Sequence, residues 1–354
     1  MTLSIKISFK DWFRSSGAHV LVDGQFGSTG KGLLAGAIAE EFWSDVQAVT
    51  TNAGPNSGHT AYLHDRKIVL NQLPMFSVVA DKICSARGVP NSLITYLNAG
   101  ALIDPDILRS EVWEHSIPRL YIDPCAAKID DDSRMLDEVT ENAIASTGKG
   151  TGPALARKVS RVSSRAIFGP VSVMWPFLDR PEFRRLTTFI EVSQGFSLGI
   201  NSGFYPHVTS RECTVAQALS DAGISPRDLR KTVMCVRTFP IRTGDTANSS
   251  GPCYPDQTEL DWSEFDVEPE LSTTTKRIRR VFSWSDRQFK QSLIANNPDV
   301  IFVNFCQYLD HMGQSVDDFV RGRVLEPYTK ILGRKPDAIL LGYGPRSSDI
   351  YPWE

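Results

Sequence analysis

The sequence predicts an α/β fold: a mostly parallel central sheet flanked by helices, with a P-loop-like glycine loop directly after the first strand. Two observations carry this. The chain opens strand, glycine-rich turn, helix, and later apolar runs of strand length alternate with helical patterns. The opening strand is Ala18–Asp23 (AHVLVD), and Leu33–Trp43 (LLAGAIAEEFW) has helical spacing. Further strands are expected at Lys67–Leu70, Lys231–Val236, Val300–Phe305 and Ala338–Leu341, with helices at Asp104–His115 and Ser315–Val320. Several of these strands are apolar throughout, as strands are when helices cover both sheet faces. Arg242–Asp266 is rich in Gly, Pro, Ser, Thr and Asp and reads as a functional loop, and Gly342–Glu354 reads as a coil. No boundary separates independent parts, so residues 1–354 read as a single domain with loop excursions.

Composition narrows the function classes. The chain has 354 residues, 41% hydrophobic, with 38 Lys+Arg against 41 Asp+Glu for a net charge of −3. That is enough to build a large core, and the near balance of charge argues against a dedicated nucleic-acid binder. The six cysteines are scattered, with no C-x-x-C pair and no neighbouring His at ligand spacing, so neither a disulfide frame nor a zinc site is expected. No apolar run approaches the roughly 20 residues that span a bilayer, and the first residues lack a secretory pattern. The expectation is a cytoplasmic protein (host cytoplasm if viral) with no membrane partner.

Three polar segments carry chemistry. Gly24–Gly32 (GQFGSTGKG) has four glycines in nine positions, so the backbone can turn tightly and bring N–H groups to an anion at the following helix N-terminus. Lys31 adds a positive charge. The spacer is one residue longer than in a standard P-loop, and Gly32 stands where Ser or Thr would hold Mg²⁺. An unliganded turn is the plain alternative, but strand, lysine and helix together favour phosphate. Thr51–Thr60 (TNAGPNSGHT) places His59 after a glycine; a lone His is usually structural, yet it can act as an acid near neutral pH. Ser146–Pro153 (STGKGTGP), followed by Arg157, Lys158 and Arg161, is either a solvated turn or a second phosphate nest.

In this order the three segments resemble adenylosuccinate synthetase, whose members read GDEGKG, NAGHT and TTGRGIGP. The resemblance runs through Glu191-Val192-Ser193-Gln194-Gly195, Tyr205–Ser210, Gln257–Leu260, Thr273–Arg277 and Gly342–Pro345, nearly the whole chain. It implies a two-step ligation: a nucleoside triphosphate phosphorylates the 6-oxygen of a purine monophosphate, then the amine of L-aspartate displaces that phosphate at C6. It also implies Mg²⁺ and a homodimer. By the same resemblance, Gly27, Thr29, Gly30, Lys31 and Gly32 cradle the donor phosphates, and His59 is the acid toward the 6-oxygen. Gly58 offers a backbone carbonyl to Mg²⁺. Asn56, Thr147, Gln194 and Thr209 hold the acceptor nucleotide, and Arg161 reaches its phosphate from a neighbouring subunit. Arg242 and Thr243 close on the aspartate carboxylates, where a planar fork of donors suits bidentate pairing.

Two departures redirect the substrates. Where the family has an aspartate as base and Mg²⁺ ligand, this chain has Ser28. The chain is then either inactive or adapted to another acceptor. A short hydroxyl leaves room beside C2 and can accept from a 2-amino group, which suits dGMP or GMP and resembles a phage branch of the family acting on dGMP. The family's guanine-reading T-K-x-D becomes Asn304-Phe305-Cys306-Gln307. An amide pairs with the acceptor–donor edge of adenine, so ATP or dATP is the expected donor, with Gln307, Asn304, Gly344 and Pro345 at its site. The alternatives are an ordinary synthetase using IMP and GTP, and a P-loop NTPase switch without ligase activity. Lys31→Ala and His59→Ala are each expected to abolish turnover with the fold intact.

Overall fold

The structure, a computed structural model, describes residues 3–162, 172–173, 181–273 and 275–354. Thr274, within the Thr273–Arg277 resemblance, lies outside the described residues.

The centre is a sheet of ten strands among the described residues. Across the sheet they run Ile350–Pro352, Ala338–Gly342, Val300–Asn304, Leu229–Arg237, Gly17–Asp23, Thr187–Glu191, Ala48–Thr51, Ile94–Leu97, Leu120–Ile122 and Ser172–Val173. Every neighbouring pair is parallel except the first, which is antiparallel. The opening strand is therefore central, flanked by Thr187–Glu191 on one side and Leu229–Arg237 on the other. Its side chains alternate between two buried layers. Leu21 joins Leu34, Ile38, Phe76 and Phe189 on one face, and Val20 and Val22 join Ile190, Met234 and Ile301 on the other. Both layers are dry, which is why all seven residues of this strand are buried.

Most predicted elements are present with shifted ends: the helix after the loop spans Lys31–Phe42, and the strand predicted at Val300–Phe305 ends at Asn304. Three expectations need correction. The tail is not all coil, because Ile350–Pro352 pairs antiparallel with Ala338–Gly342 and closes that edge. The predicted strand at Lys67–Leu70 lies outside the central sheet: Arg66–Leu70 forms a hairpin with His59–Leu63. The Arg242–Asp266 excursion is partly framed, since Ile241–Arg242 and Glu259–Leu260 both pair with Arg280–Phe282.

Because the sheet is parallel, the loops after the strands collect along one edge. Asp23, Glu191, Arg237 and Asn304 are the last residues of four adjacent strands or near-neighbours. This edge carries the site.

Candidate active site

The glycine loop leaves the first strand at Asp23 and enters the helix at Lys31. Gly27 (φ 89°) and Gly30 (φ 95°) take conformations that L side chains avoid, and Ser28 between them is also left-handed at φ 57°. A Cβ on Gly30 would come within 2.1 Å of Asn304 Nδ2, so the loop needs glycine there for packing as well. The helix N-terminus has no side-chain cap, so its N–H groups are available to an anion.

Asp23, fully buried, organises the loop. It accepts from Thr29 Oγ1 (2.5 Å), Gln25 N (2.8 Å), Gly27 N (3.2 Å) and Lys31 Nζ (3.1 Å). Lys31 also donates to the Gln194 carbonyl at 2.7 Å. Lys31 is therefore one half of a buried ion pair, and the expectation that Lys31→Ala spares the fold is withdrawn: it would strand Asp23.

His59 starts its strand with its ring buried, Nδ1 lying 4.0 Å from Glu191 Oε2. Burial, reinforced by the Lys31 charge, pushes His59 down to about 3, which favours a neutral imidazole. Burial pushes Glu191 up to about 7, although the N–H groups of Met75 (3.0 Å) and Phe76 (2.8 Å) and the Lys31 charge oppose this. Burial thus disfavours charge on both groups.

Around these groups lies a cleft of about 510 Å³. Its walls include Gly27, Ser28, Lys31, Asn56, Gly58 and His59 from the first two segments, and Thr147, Gln194, Thr209, Arg242 and Thr243 from the others. Eleven of the sequence-predicted residues, from six separated stretches, thus meet at one cavity. Gln194 Nε2 donates to Asn56 O (3.2 Å), and Asn56 Nδ2 reaches Thr209 Oγ1 at 3.5 Å. Several buried polar atoms on the cleft residues have no protein partner: Asn56 Oδ1, His207 Nδ1, Ser210 Oγ and Thr243 Oγ1. Buried polar groups are normally satisfied, so this cluster marks a place built for a polar ligand.

Other predicted residues fall elsewhere. Thr29 faces away, its hydroxyl spent on Asp23, so only its backbone is left for a phosphate. Asn304 sits behind the loop, donating to Thr29 O (3.2 Å) and accepting from Phe305 N (2.9 Å), and so braces the loop. Gly30 and Gly32 pack against Asn304 and the Thr60 backbone. Gln307, Gly344 and Pro345 lie outside the cleft, at the ends of the adjacent strands Val300–Asn304 and Ala338–Gly342, which the Cys306 N to Gly342 O bond (2.9 Å) ties together. Gln307 Oε1 is buried there without a partner. Arg161 is exposed beyond the helix Thr151–Val159 and does not line the cleft of its own chain. Arg242 lines the cleft, but its guanidinium donates to the carbonyls of His207, Ser250 and Pro252 and covers the Phe26 ring at 4.7 Å. It builds the loop wall; its hold on aspartate carboxylates would require those bonds to be exchanged.

Sequence reading assigned no role to Asp23 or Glu191. A carboxylate ending an apolar strand just before a glycine loop was the available signal for Asp23. Glu191 likewise ends a wholly buried strand. Arg279 also lines the cleft without having been singled out, as does Thr273, which was quoted within the resemblance but given no role.

A two-site cradle of this kind, with a glycine loop and lysine beside a buried histidine and a polar cleft, defines a nucleotide-dependent group-transfer enzyme. The family model for adenylosuccinate synthetase matches residues 20–168 and 171–314, and the chain belongs to that family of C–N bond-forming ligases. It is 36% identical to an N6-succino-2-amino-2'-deoxyadenylate synthase of Salmonella phage PMBT28, over 94% of this chain and 96% of the relative. The protein of the same name from Vibrio phage phiVC8 is 33% identical with the same coverage. Among solved structures it resembles the cyanophage S-2L succinoaminodeoxyadenylate synthetase (PurZ), bound to dGMP and to dATP as energy donor. That match has a TM-score of 0.79 and 29% identity, over 96% of each chain.

Proposed function

We propose that this chain ligates L-aspartate to C6 of dGMP, and less well of GMP, using ATP or dATP. The reaction passes through a 6-phosphoryl intermediate and yields 2-amino-(deoxy)adenylosuccinate for diaminopurine nucleotides. The observation that carries this is Ser28: it stands in the cleft beside Lys31, exposed and left-handed, where the family places a carboxylate. An aspartate there would crowd a 2-amino group and bring a charge; a hydroxyl leaves room and accepts from it. The names and ligands of the phage relatives support the same reading.

The residues divide the work by position. Loop N–H groups and Lys31 hold the transferred phosphoryl, a role that is chiefly positioning and charge stabilisation. His59 donates its N–H toward the purine 6-oxygen; the charge of the substrate phosphates there favours the protonated ring, which then acts as acid. Asp23 is not the substitute base for N1, because it is sealed from the cleft by its four donors. Asn56, Thr147, Gln194 and Thr209 orient the acceptor, with Thr243 and Arg242 on the aspartate side. Gln307, with Gly344 and Pro345, meets the adenine of the donor.

Among the described residues no group of three His, Cys, Asp or Glu side chains could hold a metal. Ser28 Oγ and the Gly58 carbonyl are neutral oxygens on the cleft wall, which suits Mg²⁺ carried in largely on substrate phosphates. When bound, the ion would offset phosphate charge. A homodimer would bring Arg161 to a neighbour's cleft. Its surroundings support that, since Met135, Leu136, Val159 and Val162 expose apolar side chains on this chain's surface. No helix among the described residues is long and apolar enough to cross a membrane, and the phage relatives point to the host cytoplasm as the place of action.

The test is an activity panel crossing IMP, GMP and dGMP with ATP, dATP and GTP. Aspartate-dependent phosphate release should be greatest with dGMP and an adenine donor. A preference for IMP, or a clearly higher kcat/KM with GTP, would overturn the proposal. Hydrolysis that ignores aspartate would make the chain an NTPase instead.

A further inference from the structure

Behind the glycine loop lies a charged group that none of the roles above uses. Arg237 ends the strand Leu229–Arg237, and its side chain is fully buried. Its Nη1 donates to the carbonyl of Ser28 at 3.2 Å. Both terminal nitrogens reach the Glu270 carboxylate, which also accepts from the Tyr308 hydroxyl at 2.9 Å. One face of the guanidinium lies 3.8 Å from the centre of the Phe305 ring. Its backbone is fixed as well, exchanging bonds with the Gln25 side-chain amide at 2.9 and 3.1 Å.

A buried arginine with a single structural purpose would need only its carboxylate. This one spends a donor on the carbonyl of the one non-glycine left-handed residue in the loop. The next carbonyl, that of Thr29, is held by Asn304. Two consecutive carbonyls of the loop are thus held from two adjacent strands, one by Arg237 and one by Asn304, whose own segment continues into Phe305, Gln307 and Tyr308. Phe305 is itself left-handed at φ 61°, an unfavourable state for an aromatic residue. It is held there by Asn304 Oδ1 on its N–H and by Thr238 Oγ1 on its carbonyl at 2.8 Å. Strain of this kind, about 1–3 kcal/mol per residue, persists only where surrounding contacts over-determine it.

We infer that Arg237 is a positioning residue for acceptor selection: braced by Glu270, Tyr308 and the face of Phe305, it fixes the left-handed Ser28 so that its hydroxyl faces the acceptor purine. The inference rests on the proposed reading of Ser28 as the site of discrimination. Lysine cannot replace this arginine, because a single ammonium lacks the fork that spans a carbonyl and a carboxylate at once.

The test is equilibrium binding, which needs no turnover. Calorimetry without donor gives the affinity ratio of dGMP to dIMP for wild type, Glu270→Gln, Tyr308→Phe, Ser28→Ala, and each of the first two combined with Ser28→Ala. Wild type should favour dGMP at least tenfold. Tyr308→Phe, which keeps the ring packing and removes one bond, should reduce the ratio several-fold, and Glu270→Gln should bring it below threefold. In the Ser28→Ala background neither substitution should change the ratio further, since the aimed group is gone. A merely structural brace would lower Tm and leave the ratio alone, and that result overturns the inference. So does a loss of ratio that multiplies with Ser28→Ala instead of saturating. If Glu270→Gln does not fold, the Tyr308→Phe pair decides. A wild-type ratio near one would defeat the functional reading and this inference together, whereas a large ratio unmoved by the variants defeats only the inference.

Discussion

Removing the Lys31 ammonium is a test of the fold as much as of the chemistry. Lys31→Ala takes away the cation facing a fully buried Asp23 and leaves the Gln194 carbonyl without its 2.7 Å donor. Breaking a buried pair by deleting one partner costs about 3–5 kcal/mol. Asp23 keeps three other donors, from Thr29, Gln25 and Gly27, so the lower end, about 3 kcal/mol, is expected. In a chain of 354 residues that lowers Tm by roughly 4 °C. Thermal and urea unfolding of the variant measure this, and phosphate release measures the separate loss of turnover. The charge argument makes a second demand: adding Asp23→Asn removes the stranded carboxylate and should recover part of the stability. If Lys31→Ala melts within a degree of wild type, or if Asp23→Asn only worsens it, Asp23 and Lys31 are not the coupled pair described.

His59→Ala should lower kcat on dGMP by at least a hundredfold while changing its KM little; single-turnover kinetics would expose a near-normal chemical step and so defeat the acid role. Ser28→Asp should reduce kcat/KM on dGMP by roughly 5- to 150-fold, the equivalent of about 1–3 kcal/mol for crowding the 2-amino group with a longer side chain, and steady-state rates on dGMP and IMP would show whether the preference moves. The pH dependence of stability follows from two opposed shifts. Glu191, pushed up to about 7, binds a proton in the fold that the unfolded chain has lost, so its contribution is present below about 4.5 and fades as pH rises through 7. His59, pushed down to about 3, resists a proton that the unfolded chain takes up, so stability falls as pH drops below about 6.5. The two offset each other between about 4.5 and 6.5. In Glu191→Gln the His59 effect stands alone, and Tm should climb more steeply with pH across that window than in wild type; equal slopes would contradict the shifts.

The class of fold was legible because its opening unit is written locally: an apolar strand, a glycine-rich turn and a helix need only neighbouring residues to be recognised. The strands Ala48–Thr51, Ile94–Leu97 and Thr187–Glu191 were not, because they are four or five residues long and carry threonines that suit many contexts. Their pairing is set by distant partners. The Ile350–Pro352 edge strand shows the same limit, since only Ala338–Gly342 makes it a strand. In the site, most residues that line the cleft from the loops were readable from spacing and resemblance. Residues that hold those residues were not. Asp23, Glu191 and Arg237 act through contacts formed only when the sheet assembles, and Asn304, expected at the donor nucleotide, shares such contacts with Thr29 and Phe305. The pairing of His59 with Glu191 joins positions 59 and 191 through a hairpin and a central strand.

The all-but-parallel order of the sheet gives the molecule two ends with different freedoms. Residue choice at the starts of the strands, such as Asp299 and Asp337 sharing Lys231, is answerable mainly to packing and solubility. At the other end, a substrate preference can turn on one loop position, because the strands beneath hold their alignment whatever side chain stands at 28. Such a scaffold can exchange one purine for another by a single replacement above an unchanged foundation, and new selectivity then need not wait for a new core.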